Sequence, residues 1–476
     1  MNKQLFLVFC AAFFCSTSAQ INYIRLIVPN TVDIRSIGMG KTESAGNTGS
    51  NAIFGNPSLL ALQQNGTVKL GSALRFGFIK DEYNEKLSNS TNDEIKSGYK
   101  PNYKFTNISA AIPLHLNMSI PFSIAFGAGY HNAIDLSYSQ YYKRESIGLA
   151  DFFQDEETIR ARGGLNTISP SFAFSFFNCI SAGVSMHIGF GKTRSEYISS
   201  HSTIVTGSEL ESNTTIYGKS FSSTFGLTGK PVKNLTLGTS ITPPYKWTWY
   251  DIEKKRKSNN TRYNDIEIAG GEFTIPLKFS VSCEYQITEK FSIAVEYQTR
   301  PFKSFKLDAE KVSYEYDYAN ITSDDDLSDM ESIIKEMDLK NGHVLHAGIE
   351  IYANNIPFRF GFFIEPFPTT SEELKNNTVK LVEKPNKEIG GTFGFSAPVT
   401  QALFLELSAQ YGLLKYIAVD YNLSNSSRYK EYVTKNHNLR VDLGFRVDLP
   451  AFPLDKSAET SRSPSTGELF CFNHQN

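Results

Sequence analysis

Five residues in this chain look at first like a phosphate cradle: Gly38-Met39-Gly40-Lys41-Thr42 ends in Gly-Lys-Thr. A phosphate loop also needs a glycine five residues before its last one, and a helix after it. Arg35 stands at the glycine position, and Gly46, Gly49 and Asn51 follow where the helix would begin. Nucleotide chemistry is therefore not expected, and these glycines need another purpose. The histidines, among them His115, His131, His187, His343 and His346, accompany no serine that the local sequence marks as a nucleophile. His343 and His346 do not share a strand face, which disfavours a metal site. No enzyme, metal or cofactor is expected. Asp324-Asp325-Asp326 reads as a solvated run within residues 323–339, where Met330, Ile333, Ile334 and Met337 have the spacing of a short amphipathic helix. The basic run Lys254–Lys257 and a formal net charge of −2 give no sign of a nucleic-acid partner.

The elements that would position such residues begin with a secretory signal. Lys3 precedes an apolar run from Leu5 to Phe14, and small residues end at Ala19, so residues 1–19 read as a cleaved signal peptide. Cys179, Cys283 and Cys471 remain in the exported chain; an odd, scattered trio is no disulfide framework.

Downstream, the pattern is period two. Leu439, Val441, Leu443, Phe445, Val447 and Leu449 alternate with Arg440, Asp442, Gly444, Arg446 and Asp448. This is a strand with one apolar and one charged face, long enough to cross a bilayer when tilted. Fourteen such segments are expected, near 67–79, 104–114, 121–137, 167–177, 180–191, 217–229, 234–247, 272–286, 290–301, 343–353, 356–365, 389–398, 401–411 and 437–449. In the eighth, Phe273, Ile275, Leu277, Phe279 and Val281 form one apolar set against Thr274, Lys278 and Ser280. Short connections such as Phe177-Asn178 and Asn354-Asn355 alternate with long polar ones, near 80–103, 138–166, 192–216, 248–271, 302–342, 366–388 and 412–436. Strict alternation of short and long is the mark of an outer-membrane barrel. The expected fold class is all-β: a 14-stranded antiparallel transmembrane β-barrel over residues 67–449, expected as a monomer in outer-membrane lipid. Tyr130, Tyr138, Trp247, Trp249, Tyr285, Tyr297 and Tyr411 near strand ends fit interfacial girdles.

Fourteen strands enclose more space than their own side chains fill. Residues 20–66 are rich in Gly, Ser and Asn and lack long alternation, which suits an N-terminal plug, or hatch, packed inside the barrel. The stretch "NAIFGNPSLLAL" just before the first strand resembles the N-terminal hatch of the FadL family, outer-membrane transporters of long-chain fatty acids and other hydrophobic compounds. That family typically carries Asn-Pro-Ala followed by Gly-Leu-Ala here. Asn56, Pro57 and Ser58 stand on the first motif, with Leu60 and Ala61 after; Ser58 and Leu59 are departures. Residues 225–247, "FGLTGKPVKNLTLGTSITPPYKW", resemble the family's paired strands around a proline-containing turn.

The resemblance implies passive uptake of a long-chain fatty acid or another hydrophobic ligand, with a hatch shift and a lateral gap at a kinked third strand. In that strand Gly127, Gly129, His131 and Asn132 interrupt the alternation. A carboxylate ligand would want an arginine beside apolar surface. By parity, the lumen cations include Arg75, Lys278, Arg300, Arg359, Arg440 and Arg446, facing Glu272, Glu284, Glu296, Glu350, Glu365 and Glu406. Arg300 and Arg359 are the ligand candidates, Gly38 and Gly40 join the hatch motif, and Lys254–Lys257 could make a first external contact. The alternative, implied by non-transporting relatives in a Bacteroidota-type envelope, is a docking or shuttle barrel for type IX secretion. It would use residues 450–476 as a periplasmic tail.

Overall fold

The computed structural model describes residues 31–46, 49–83, 94–99, 102–117, 121–147, 152–203, 207–258, 261–263, 267–268, 271–309, 313–314, 339–375, 378–421 and 429–450. The signal peptide, residues 20–30 of the plug, the amphipathic segment 323–338 and the tail beyond Pro450 lie outside them, as do the side chains of Tyr138 and Lys254–Lys257.

Fourteen wall strands follow in order. They are β1 (Gly66–Tyr83), β2 (Glu94–Tyr99 and Asn102–Asn117), β3 (Pro121–Asp135 and Tyr138–Ile147), β4 (Phe152–Phe176) and β5 (Ile180–Thr203). Then come β6 (Gly207–Val232), β7 (Leu235–Thr242 and Tyr245–Ser258), β8 (Gly271–Ile275 and Lys278–Thr288) and β9 (Phe291–Arg300 and Lys306–Ala309). The last five are β10 (Gly342–Ala353), β11 (Ile356–Lys375), β12 (Thr378–Pro398), β13 (Leu403–Tyr421) and β14 (Tyr429–Leu449). Each pairs antiparallel with its chain neighbours, and β14 returns to β1 from Gly66↔Leu449 to Tyr83↔Tyr432. Closure leaves no edge strand, so every ladder group in the wall can be satisfied without water.

The burial is inverted relative to a water-soluble protein. Leu70, Ile108, Phe126, Ile188, Leu227, Phe279, Phe360 and Leu443 are exposed, while Ser109, Ser169, Ser185, Ser282 and Ser408 are buried. Period two drives this: one face of each strand meets lipid and the other meets the lumen. No described helix is long and apolar enough to cross a membrane. At one end the chain turns tightly. Phe177 and Asn178, and Asn354 and Asn355, have φ between 50° and 65°, as a type I′ hairpin turn requires.

Three expectations change. The long polar stretches are largely ladder rather than loop: β5 runs to Thr203 and pairs with β6 from Ile180↔Gly229 to Ser202↔Gly207, and β11 and β12 pair out to Lys375↔Thr378. Polar composition there reflects wall that rises beyond lipid, where both faces meet water. Second, parity is not continuous. In β7, Gly238 and Ser240 are buried, but beyond Pro243-Pro244 the buried residues are Trp247 and Trp249. The partner strand shifts likewise at Pro276-Leu277, from Phe273 and Ile275 to Ser280 and Ser282. Two residues outside the ladder reverse which face points inward, because side chains alternate strictly along a strand. The two tryptophans therefore belong to the lumen and not to a girdle, and Glu272 lies on the opposite face from buried Phe273, paired with Lys246. Tyr285, Tyr297 and Tyr411 stay exposed; Tyr297 and Tyr411 hydrogen-bond His343 and His437 at 2.6 and 2.7 Å. Third, Cys179, in the turn between β4 and β5, is disulfide-bonded, which a single bridge in an exported chain permits without any framework; Cys283 is free.

Candidate functional site

The first element of the site is the segment before β1. Residues 31–46 and 49–65 touch lumen-facing side chains of strands all round the closed wall, which only a segment inside the lumen can do. Its first part is a one-turn helix, Ile34–Gly38, capped by Asp33, whose carboxylate accepts from Ser36 N–H at 2.8 Å. Five ion pairs tie this part to the wall. Arg35 meets Glu284 at 2.7 Å and Glu350 at 3.2 Å; Lys41 meets Glu365 at 3.0 Å; Asp33 meets Lys69 at 2.7 Å; Glu43 lies 3.8 Å from Lys278. The lumen carboxylates thus pair with the plug as much as with wall cations. Composition gave no hint of this, since it depends on where the segment sits.

The glycines of Gly38-Met39-Gly40-Lys41-Thr42 now have a purpose. Gly40 has φ 70°, and a Cβ there would lie 2.2 Å from the Ala347 carbonyl oxygen. Its N–H donates to Thr392 Oγ1 at 3.0 Å, and that hydroxyl donates to Gly38 C=O at 2.9 Å. The turn is shaped to lie flat on β10–β12.

The second part of the segment is held differently. Asn56 caps the 3-10 turn Pro57–Leu62, with Oδ1 accepting from Ser58 N–H at 3.2 Å. Its Nδ2 donates to Ser44 C=O at 2.6 Å and to Thr228 Oγ1 at 3.1 Å. Ser58 Oγ shares a 2.6 Å bond with Thr228 Oγ1, a contact alanine could not make. The wall makes room: a Cβ at Gly226 would lie 1.9 Å from Asn56 Oδ1. Beneath, Ile53, Leu59, Leu60 and Ala61 bury against Ala111, Ala125 and Ala173.

Above this plug lies a cavity of about 300 Å³. Lys41, Glu43 and Phe54 belong to its floor, and its walls are of two kinds. Ala133, Leu165, Ile275 and Phe302 belong both to the lining and to an apolar cluster with Ile134, Trp247, Trp249 and Phe273. Lys278, Gln298, Arg300 and Glu365 line the charged side. Arg300 is 8% exposed; its Nη2 donates to Gln298 Oε1 at 2.9 Å, and its Nε has no hydrogen-bond partner among the described residues. Gln298 in turn donates to Glu296, which accepts the backbone N–H groups of Glu43 and Ser44 at 2.6 and 2.8 Å. The cavity is thus tied to the plug backbone through two side chains. Glu43 has its carboxyl pushed up to about 7, chiefly by burial, with Glu296 and Asp33 adding to the rise and Lys278 opposing it. Arg359 is placed elsewhere: it is buried outside the cavity lining, donating to Glu350 and to Ser396 at 2.7 Å.

His131 and His187 also line the cavity, as hydrogen-bonding groups. His131 Nδ1 meets Thr167 Oγ1 at 2.6 Å; His187 bridges Ser169 and Thr224 at 2.8 and 3.0 Å. His187 sits between two hydroxyls with no carboxylate among these partners, an arrangement unlike a nucleophile–base–acid relay.

In β3, Gly127 and Gly129 keep register with β2 and accommodate the plug. A Cβ on Gly127 would lie 3.0 Å from Ile53 Cδ1, and one on Gly129 2.6 Å from Phe54 Cζ. The irregularity comes just after them, as a register shift between Asn132 and Ile134. From His131 to Asp135 alternation ends and five successive residues are buried, so the strand bends into the lumen.

The fold matches known proteins. The family model described as BamG matches residues 86–324, half of the chain. A Pseudomonas aeruginosa FadL homologue superposes with a TM-score of 0.58 at 11% identity, covering 89% of this chain and 99% of that one. The P. putida toluene transporter TodX gives a TM-score of 0.54 at 13% identity, covering 90% and 100%. The fold is therefore the FadL type, and the chain is an outer-membrane barrel. A search of curated protein sequences found no relative.

Proposed function

The chain belongs to the BamG family, and on the geometry above we propose that it carries hydrophobic or amphipathic small molecules passively across the outer membrane. One observation carries the reading: a cavity inside the barrel with an apolar wall on one side and, on the other, Arg300, whose Nε has no hydrogen-bond partner among the described residues. An amphiphile would lay its apolar body against Ile275 and Phe302 and give its anionic head to Arg300 and Lys278. A long-chain fatty acid is the first candidate ligand. The similar solved structures, by name a FadL homologue and a toluene transporter, support a hydrophobic cargo. The plug, residues 31–65, blocks the lumen below the cavity and must shift for passage, or the cargo must leave sideways at the bend in β3. Gly38, Gly40, Asn56, Pro57 and Ser58 act as docking points of the plug. The docking alternative draws on residues 450–476, nearly all outside the described residues, and nothing in the described residues favours it.

Native mass spectrometry of the purified chain, with extraction and identification of bound lipid, tests this. The expected result is a co-purifying amphiphile whose occupancy falls in Arg300→Gln. An empty lumen together with a co-purifying protein would replace uptake with docking.

A further inference from the structure

The outward face of β4–β6 changes character at one height. Ile168 on β4, Ile188 and Phe190 on β5 and Phe221 on β6 are exposed apolar residues, and the register sets them side by side, with Ile188 opposite both Ile168 and Phe221. Farther from the tight Phe177-Asn178 turn, the same face carries cations. Lys219 lies opposite Phe190, Lys192 opposite Tyr217, and Arg194 opposite Arg162. Short turns mark the periplasmic end of a barrel, so these cations stand at the outer edge of the lipid-facing band.

Two neighbouring cations are balanced: Glu196 takes Arg160 at 3.4 Å, and Glu272 takes Lys246. Arg162, Lys192, Arg194 and Lys219 are exposed, and none has a carboxylate partner among the described residues. Arg162 and Arg194 are moreover like charges directly across a ladder, which destabilises a sheet when nothing lies between them. Aromatic rings hold the two lysines in place without neutralising them. Lys192 Nζ sits 4.8 Å from the centre of the Tyr217 ring and donates to its hydroxyl at 2.8 Å; Lys219 Nζ sits 5.6 Å from the centre of the Tyr250 ring. The two tyrosine rings stack at 6.1 Å. Gly164, opposite Lys192, leaves that row with no side chain on β4.

We propose that Arg162, Lys192, Arg194 and Lys219 bind the phosphate-bearing headgroup of an outer-leaflet lipid, whose acyl chains lie on Ile188 and Phe190. A phosphate bridging Arg162 and Arg194 turns their repulsion into charge-assisted contacts, and each guanidinium presents the planar fork that phosphate matches. The lysines, one row and two rows below, take a second anionic group or the same one from beneath. Tyr217 and Tyr250 suit this height, since an interface favours a ring with an apolar body and a wet hydroxyl. The apolar band directly beneath the cations identifies the occupant as a lipid, because a soluble anion would have no use for it. The site lies on the outside of the wall and does not depend on the uptake reading.

The full chain, purified in dodecyl maltoside, is titrated with diphosphoryl lipid A and followed by native mass spectrometry. Wild type is expected to bind it more tightly than dioleoylphosphatidylcholine, whose headgroup is zwitterionic, and less tightly as salt is added, since exposed cations are screened. In Arg162→Gln/Arg194→Gln the affinity should fall about 25-fold, about fivefold for each cation lost. Lys290→Gln, an exposed cation between β8 and β9 at the opposite end of the barrel, should change nothing. Equal binding of the two lipids, or an unchanged affinity in the double variant, overturns the proposal. Inorganic phosphate at matched phosphate concentration is added as a competitor; if it displaces lipid A, the cations serve a free anion and the lipid site fails. Thermal unfolding in lipid-free detergent separates binding from folding. Arg194→Gln should unfold no earlier than wild type, because it removes a repulsion. Earlier unfolding would make the arginine pair a structural element and overturn the site as well.

Discussion

The two halves of the plug are held by different physics. Residues 31–46 meet β8, β10, β11 and β1 through ion pairs, with Arg35, Lys41, Asp33 and Glu43 each opposite a charge on the wall. Residues 49–65 meet β2–β6 through neutral hydrogen bonds of Asn51, Asn56 and Ser58 and an apolar cluster on Ile53, Leu59 and Leu60. Apolar burial is indifferent to pH and bound charge. Ion pairs respond to both, because an arriving anion competes for the same cations. The cavity floor is contributed by Lys41 and Glu43 from the first half together with Phe54, and the Arg300–Gln298–Glu296 chain ends on the backbone of Glu43 and Ser44. The fold thus puts the chemically responsive half beside the cavity and anchors the inert half next to β1.

Arg35→Met should break the comparison most sharply. It strands Glu284 and leaves Glu350 with Arg359 as its one remaining cation, and removing one partner of a buried pair costs about 3–5 kcal/mol. Limited proteolysis in detergent should then cut residues 31–46 while 49–65 stay protected. Equal exposure of both halves would show that they are one unit. Leu60→Ala should cost about 2–4 kcal/mol, since Leu60 is fully buried among alanines that cannot close the void. Its urea-unfolding shift should be the same at low and high salt. Asn56→Ala should cost about 1–3 kcal/mol by leaving Thr228 and the Ser44 carbonyl short of a donor. Because Asn56 also bonds Ser44, it alone should loosen both halves in hydrogen exchange.

The smallest effect concerns pH. Glu43 keeps its proton in the docked plug up to about 7, while a solvated glutamate releases it near 4.5. Between those values the undocked state binds fewer protons, so docking weakens as pH rises from about 4.5 to 7 and is level above. Glu43→Gln should flatten the pH dependence of protease protection of residues 31–46. An unchanged slope would locate the titration elsewhere.

Much of the barrel could be read directly from residue order. The alternation of Leu439 to Leu449 is β14, and the Asn354-Asn355 turn is where a left-handed pair was needed. Arg300 could be assigned to the lumen because β9 has unbroken parity from Ser292 to Arg300. Trp247, Phe273 and Glu272 could not be placed, because a two-residue break inverts parity and leaves the apolar pattern on both sides looking continuous. Arg359 has the same parity argument as Arg300, yet only packing shows that its guanidinium is occupied by Glu350 and Ser396.

What the sequence alone determined was local: strand, face, tight turn and the small residues of the plug follow from steric and hydrophobic preferences within a few residues. Which charges meet was decided by the tertiary structure, since Arg35 and Glu350 are 315 residues apart and nothing local couples them. The bend of β3 was decided there too: five successive buried residues, His131 to Asp135, and a register shift between Asn132 and Ile134 turn the strand into the lumen, a direction that alternation along the sequence does not reveal.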